Sequence, residues 1–380
     1  MGKGLPGESF YLPLRESAIE AGVRTRSLAR VTRLVVDESG SVVGVEAQVV
    51  EDAFAATVLR GLYQTAMALR NYSPQTARAC YARIFEIEAT KSTRKLFRAN
   101  GGVILSAGGF IYNRAMIDEH APAYRPGMPL GTVADDGAGI RLGQSVGGAV
   151  DLMERVSAWR FINPPEAFTR GILIDKQGER YINEMMYGAA VGEAMVEHHG
   201  GKAILILDDA MKREARRQCK PGQAQWFQRA PALLNLWFNR KEGKTLEELA
   251  AQIKVPAENL ARAVEEYNRG VEAKSDRLGK PEIALQKIEK GPFHAIDCSI
   301  DSKRFPCPTL TLGGLVVDER TGAVMGADER PIAGLYAAGR TAVGVCSRQY
   351  VSGLSIADCV YSGRRAGDAA ARNLEAAAAE

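Results

Sequence analysis

Residues 334–344 read GLYAAGRTAVG, and residues 349–367 read QYVSGLSIADCVYSGRRAG. The first is a strand running into a glycine turn, and the second opens a long helix on a Ser-Gly pair. A glycine straight after a buried strand lets backbone approach a phosphate with no Cβ in the way. The start of a helix presents free N–H groups and the positive end of the peptide dipoles, which favour an anionic group. Upstream, residues 101–110 (GGVILSAGGF) make a third strand-to-glycine element of the same kind. Many α/β strands end this way, so each segment alone says little. Their order and spacing carry the reading.

The rest of the composition sets bounds. A chain of 380 residues can bury two or three hydrophobic cores, and 46% hydrophobic with 25% charged residues is ordinary for a globular protein. The formal charge of +4 is small and the basic residues are scattered, so no nucleic-acid partner is expected. The longest apolar runs are far too short to cross a bilayer, so no integral membrane segment is expected. The first residues, MGKGLPGE, carry no apolar signal region. Six cysteines at irregular spacings, without a C-x-x-C, read as reduced thiols in a cytoplasmic protein. Four histidines and no H-E-x-x-H make a metal centre unexpected.

Along the chain, residues 30–36 (RVTRLVV) and the alternating residues 42–50 flank a turn cluster and predict a hairpin. Residues 59–98 hold only Gly61 and long helix-favouring runs, predicting two helices broken near Ser73 and Pro74, the second capped by Gly101-Gly102. Residues 103–107 read as a buried strand. Residues 137–146 read as a helix whose Gly139 and Gly143 allow close packing. From about Leu152 the texture becomes more polar, with Trp159, Trp226 and Trp237 read as core residues of a mixed α+β insertion. Inside it Thr245 and Glu248 make a capping box for a helix over 246–253, and Pro256 starts another running to Arg269. The insertion ends near Pro292-Phe293. Strands return over 312–317 and 323–325, and a helix over 356–374 precedes an Ala-rich end, residues 375–380, expected to fray.

One motif deceives. Gly2, Gly4 and Gly7 match the G-x-G-x-x-G dinucleotide fingerprint, which works only where a buried strand delivers the glycines to a helix N-terminus. No strand precedes them in this sequence, and Pro13 stands where the following helix should run. The segment is read as a flexible start.

Taken together, the three glycine elements resemble those of the flavoprotein family that contains fumarate reductases, 3-ketosteroid 1-dehydrogenases and 3-oxo-5α-steroid 4-dehydrogenases. Residues 22–44, Asp136-Gly137, residues 180–187 (RYINEMMY), residues 292–296 (PFHAI) and residues 312–315 (LGGL) add to it, so the resemblance covers nearly the whole chain. It implies an α/β fold. A discontinuous, Rossmann-like FAD-binding domain would be made of residues 1–150 and 297–380, with an α+β cap of residues 151–296 inserted and the active site at their junction. The implied cofactor is FAD. The family's cofactor contacts fall on Val31 (backbone to the adenine), Ala107 and Gly108 (pyrophosphate side), Asp136 (the acid of G-D-G) and Gly339 and Arg340 at the end of the YAAG strand. They also fall on Ser355 and Ile356, toward the isoalloxazine. Arg340 stands where relatives often have Glu.

The substrate side separates the subfamilies. Fumarate reductases are expected to carry a histidine before T-x-G-G, and residues 310–314 (LTLGG) have none. Tyr350, Ser352 and Gly353 resemble the Tyr-x-Ser-Gly of the 4-dehydrogenases, and Tyr187 matches a second active-site tyrosine. The resemblance implies desaturation of a 3-ketosteroid or similar hydrophobic cyclic ketone. Tyr350 and the Gly353 N–H would hold the carbonyl, Tyr187 assisted by Ser352 would take the proton, and a hydride would pass to the flavin. Reduction of an activated double bond in an organic acid is the alternative. The electron acceptor is left open. His294 is read as packing, His198 and His199 as a solvated helix end, and Arg364 and Arg365 as the exposed face of the last helix. The resemblance also implies a βαβ unit of about 30 residues ahead of the segment that matches. This leaves three arrangements: a fragment of a longer enzyme, a chain completed by a separate polypeptide carrying the ADP-binding half, or a relative that binds a hydrophobic ligand without redox chemistry.

Overall fold

Asp37 Oδ1 accepts the N–H groups of Ser39 and Ser41 at 2.9 and 3.0 Å, and Gly40 takes φ +83°. This turn folds strand Ala29–Val36 back antiparallel on Val42–Val50, as the alternation predicts. The computed structural model describes residues 6–70, 73–223 and 226–379, so Gly2 and Gly4 of the deceptive motif lie outside the described residues. The chain divides into two compact units, Met1–Val103 and Ile104–Glu380.

In the first unit the central strand Val42–Val50 pairs on its other edge with Ser92–Arg98. Helices Ala53–Leu69 and Pro74–Lys91 lie between these two strands in sequence, packing Leu59, Ile84 and Ile87 against Val50. Asp52 caps the first by accepting the Ala55 N–H at 2.6 Å. The helix break at Ser73-Pro74 is as predicted, but the second helix stops at Lys91, and Gly101-Gly102 does not cap it. Residues 92–98 (STRKLFR) favour helix only weakly, and the open edge of the central strand offers them a full ladder of partners, so tertiary pairing overrides local propensity. Helix Pro6–Glu20 also forms across Pro13, against the expectation that this proline bars a helix there.

The second unit holds several small sheets. Strand Pro331–Ala337 lies between Ala323–Met325 and Val103–Leu105. The last of these is covered on one side only: Leu105 is buried and Ile104 exposed, where a fully buried strand was expected. Pro308–Thr311 pairs parallel with Met128–Pro129 and antiparallel with Val156–Ala158. Residues 172–297 carry an antiparallel sheet ordered Arg240–Gly243, Phe293–Asp297, Ile204–Leu207, Ile172–Ile174. Leu205, Ile206 and Leu207 are wholly buried, so this strand is covered on both faces. The predicted capping box forms at helix Leu246–Ile253, where Thr245 Oγ1 accepts the Glu248 N–H at 3.2 Å; the Glu248 carboxylate reaches back to the Lys244 N–H at 2.8 Å. Helix Ala257–Glu272 follows Pro256.

Other expectations need correction. Trp237 is 57% exposed and Trp159 is only partly buried, so neither is a core residue; the Trp226 side chain lies outside those described. His199 is no solvated end: its Nδ1 lies 3.1 Å from Asp175 Oδ2 and its ring stacks on Tyr181. The last helix runs Leu354–Ala379, so its backbone does not fray at residue 375.

Helix Gly188–His199 crosses strand Val156–Ala158 so closely that a Cβ on Gly192 would sit 1.8 Å from the Ala158 carbonyl oxygen. Backbone cannot yield as a flexible side chain does. Gly192→Ala should therefore destabilise the protein by about 2–4 kcal/mol in a urea titration, and a neutral result would mean that the crossing is looser than described.

His294 is fully buried among Arg240, Lys212, Asp209 and Glu242, with Nδ1 2.7 Å from the Arg240 guanidinium. Burial first, then the neighbouring cations, pushes its pKa from 6.5 down to about 4. The unfolded chain therefore takes the proton first, and stability should fall as pH drops from about 6.5 toward 4. In His294→Phe the dependence of the thermal midpoint on pH in that window should be flatter; an unchanged slope would remove His294 from the acid response.

Candidate active site

The strand Pro331–Ala337 ends in a run, Leu335 to Ala338, that is buried throughout, and the Ala338 N–H donates to the Leu105 carbonyl at 3.0 Å. The chain then turns at Gly339, φ +59°, whose N–H donates to Ser362 Oγ on the last helix at 2.9 Å. This sets Arg340 over the loop that follows strand Val103–Leu105. Its Nη2 donates to Asp135 Oδ1 at 2.6 Å.

Asp135 is the hub of the site. Its carboxylate is 7% exposed and also accepts the N–H groups of Gly109 at 3.2 Å and Thr132 at 3.0 Å. Two threonines fasten the same loop: Thr311 Oγ1 accepts the Phe110 N–H at 3.0 Å, and Thr341 Oγ1 donates to the Gly108 carbonyl at 3.1 Å. A side chain at Gly108 is doubly barred, by φ +80° and by a Cβ position 2.3 Å from Asp135 Oδ1. Ala107, beside it, is exposed. Asp136, the acid read from the sequence, instead turns its Oδ1 to the Ala138 N–H at 2.8 Å and opens helix Ala138–Gln144. Gly139 and Gly143 let that helix approach Thr341 and Leu315, as predicted. Val31 lies in the first unit, at a register shift between Val31 and Arg33.

The loop is a glycine cradle into which the Asp135 carboxylate and the Thr311 hydroxyl project, next to a cation with a spare donor. Arg340 Nη1 is buried and has no hydrogen-bond partner among the described residues. A flavin dinucleotide offers pyrophosphate and carbonyl oxygens and needs backbone at close approach. The glycines and the unused guanidinium donor suit that group.

Tyr350 is 7% exposed and packs with Leu310, Leu312 and Ala189, its ring 4.8 Å from that of Trp159. Burial pushes its hydroxyl pKa up. Hydrogen bonding with Ser355 and Ser352 draws it partly back, and Tyr187 raises it again. Ser352, Ser355 and Tyr187 thus all lie near enough to act on the Tyr350 hydroxyl. Gly353, φ +84°, has open space where a Cβ would be. The N–H groups of Ile356 and Ala357 both reach the Gly353 carbonyl, at 3.2 Å, so the Ile356 N–H is already engaged. Ser352 and Ile356 are exposed.

Tyr187 flanks the start of helix Gly188–His199, and its ring meets Phe161 edge-on at 5.2 Å; Phe161 meets Trp159 at 6.1 Å. The RYINEMMY motif is anchored behind it by a buried network. Glu184 pairs with Arg180 at 2.8 Å and with Lys280 at 2.7 Å, and accepts the Leu173 N–H at 2.8 Å. Phe161, Met185, Met186, Tyr187 and Val351 are exposed apolar side chains. A cavity of ≈ 20 Å³, room for about one water, separates Tyr350 from Arg155, Glu193 and Arg348, with the unpartnered Ser157 Oγ in its wall. Sequence reading missed Asp135, Thr311, Trp159 and Phe161. The Asp135-Asp136 pair was visible, but which acid turns inward was not.

The family model described as FAD binding domain matches residues 3–355. The chain is 36% identical over 343 residues to the 3-oxo-5-alpha-steroid 4-dehydrogenase of Comamonas testosteroni, covering 89% of this chain and 64% of the relative. It is 25% identical over 278 residues to a fumarate reductase (cytochrome) of Shewanella frigidimarina, covering 71% of this chain and 45% of the relative. Among solved structures, the 3-ketosteroid-delta4-(5alpha)-dehydrogenase from Rhodococcus jostii RHA1, in complex with 4-androstene-3,17-dione, superposes with a TM-score of 0.74 at 30% identity, covering 94% of this chain and 62% of that one. The chain thus spans less than two-thirds of the length of these relatives. No helix among the described residues is long and apolar enough to cross a membrane.

Asp135→Asn would leave the Arg340 guanidinium without its counter-charge. With Arg340 partly exposed, the loss should be about 1–3 kcal/mol in chemical denaturation, and the double variant with Arg340→Met should recover part of it. Simple additivity of the two substitutions would show that the pair is not coupled.

Proposed function

The chain belongs to the FAD binding domain family, and from that premise we propose that it acts as a FAD-dependent oxidoreductase that desaturates a 3-ketosteroid or similar hydrophobic cyclic ketone. Residues 1–150 and 297–380 are read as the cofactor-binding part and residues 151–296 as the cap. Ala107, Gly108, Asp136, Gly339, Arg340, Ser355 and Ile356, with the Val31 backbone, would hold FAD. When bound, FAD supplies the acceptor for the hydride released beside the carbonyl.

The observation that supports this reading is the buried Tyr350 hydroxyl with Ser352, Ser355 and Tyr187 around it. Because the Tyr350 pKa is raised above its ordinary value of 10, this hydroxyl keeps its proton at neutral pH and acts as a donor. Tyr350 and the Gly353 N–H polarise the ketone so that its neighbouring C–H becomes acidic. Tyr187, once its own hydroxyl proton has passed to solvent through the exposed Ser352, receives that proton as the phenolate. The aromatic row of Trp159, Phe161 and Tyr187 and the exposed methionines give a flat apolar substrate a wall to lie against and exclude water from the carbonyl. Relatives named as steroid dehydrogenases support the substrate class.

A second reading, reduction of an α,β-unsaturated organic acid, is favoured by Arg155 and Arg348, which flank the small cavity next to Tyr350 and could grip a carboxylate. The absence of histidine from residues 310–314 and the apolar wall weigh against it.

In the protein carrying this chain, Tyr350→Phe should retain flavin absorbance through gel filtration while steroid turnover with an artificial electron acceptor falls by about 10²–10³-fold. Turnover at the parental rate would exclude Tyr350 as the carbonyl donor. An enzyme inert toward ketosteroids that reduces an unsaturated acid, and loses that activity in Arg348→Met, would establish the second reading instead.

A further inference from the structure

The cap sheet carries a second concavity, of ≈ 580 Å³, which is the size of a small-molecule site. It shares no lining residue with the cradle of Gly108, Asp135 and Arg340. Asp297 stands opposite Ile204, and Lys241 opposite Ala295, so these four side chains emerge on one face of the sheet. Ile204 and Ala295 form an apolar floor, which Ile253 and Val255 extend at the C-terminal end of helix Leu246–Ile253.

The walls are different in kind. Seven of the sixteen lining residues are lysine or arginine, and one, Asp297, is acidic. Two of the seven are answered nearby, Lys202 by Asp301 at 2.6 Å and Arg240 by Glu242. Lys176, Lys241, Lys254 and Lys303 have no acidic partner among the described residues, and Arg304 donates only to the Phe238 carbonyl. Five uncompensated cations thus face one carboxylate, in a chain whose entire formal charge is +4. Like charges gathered around a low-dielectric floor repel one another and focus a positive potential that an anion relieves.

Lys254 adds an independent sign. It caps helix Leu246–Ile253 in the left-handed region, at φ +61°, where glycine is the unstrained choice. A lysine held there keeps a charge in the cleft wall against the local backbone preference. Serine, asparagine and glutamine (Ser299, Ser302, Asn239 and Gln252) complete the lining with neutral hydrogen-bonding groups.

We propose that this cleft binds a phosphate-bearing amphiphile. Two or more phosphates would engage the lysines and Arg304, and a less polar body would cover the floor of Ile204, Ile253 and Val255. A nucleotide and a coenzyme A ester both have this chemistry. The concavity is open and its five uncompensated cations are exposed, but its volume and apolar floor fit a small molecule, whereas a flat basic patch would have neither.

The test is titration calorimetry on the 380-residue chain with ATP, coenzyme A and pyrophosphate as separate probes. At low salt, ATP or coenzyme A should bind saturably with a Kd of about 1–100 μM, and the tighter of the two identifies the source of the phosphates. Affinity should weaken by about tenfold on raising salt from about 50 to 200 mM, and pyrophosphate, which has no body, should bind at least about tenfold more weakly. Lys241→Glu with Lys254→Glu should weaken binding by about tenfold or more. Lys254→Gly should weaken it too while raising the thermal midpoint, because the strain is relieved, so misfolding cannot mimic the result. No saturable binding of either large probe at about 1 mM would overturn the proposal. Pyrophosphate binding as tightly as ATP would also overturn it, as would binding that survives the double substitution and so belongs to the cradle.

Discussion

The pairing of Arg340 with Asp135 joins three segments that share no local sequence: the turn after strand Pro331–Ala337, the loop after Val103–Leu105, and residues 131–137. An acid this deeply covered is stable as a carboxylate only if its oxygens are matched, and here an arginine and two backbone N–H groups do so. Because the carboxylate occupies the space beside Gly108 and Gly131, both must be glycine. The cradle's shape, its exposed Ala107 edge and the unused Arg340 donor all depend on this one matched charge.

From the cradle the last helix leads to the tyrosines. Ser362 ties Gly339 to the helix, and Asp358 fills the space beside Gly344, so the loop holding Tyr350 is anchored twice on its N-terminal side by the same helical face. Across from it, Gly188 and Gly192 let the helix behind Tyr187 settle against Phe161 and the Ala158 carbonyl. Glu184 fixes the motif that precedes Tyr187 through Arg180 and Lys280, and burial lowers the Lys280 pKa to about 8. Tyrosines 163 positions apart in sequence are thus linked through the rings of Trp159 and Phe161, held by small residues that let backbones approach and by buried charges that leave little slack.

Much of this was legible beforehand. The hairpin at 29–50, the capping box at Thr245, the close-packing Gly139 and Gly143, and the strand-to-glycine elements at 101–110 and 334–344 are local patterns, and local patterns survive folding. The strand Ser92–Arg98 was not legible, since its preference is set by an edge that exists only once Val42–Val50 is in place. Trp159 looked like core and stands beside Tyr350 instead. A bulky aromatic has the same sequence signature in either role.

The sequence by itself determined where backbone could come close, through its glycines, and which residue types were at hand for the chemistry, through Tyr187, Tyr350, Ser352 and Arg340. It did so because steric permission and chemical identity belong to single residues. Only the tertiary structure decided that Asp135 rather than Asp136 answers Arg340, that Tyr350 loses solvent and has its pKa raised, and that scattered lysines gather around one cleft beside strand Phe293–Asp297. Burial, charge pairing and field depend on distances between residues far apart in the chain, and no local pattern encodes those distances.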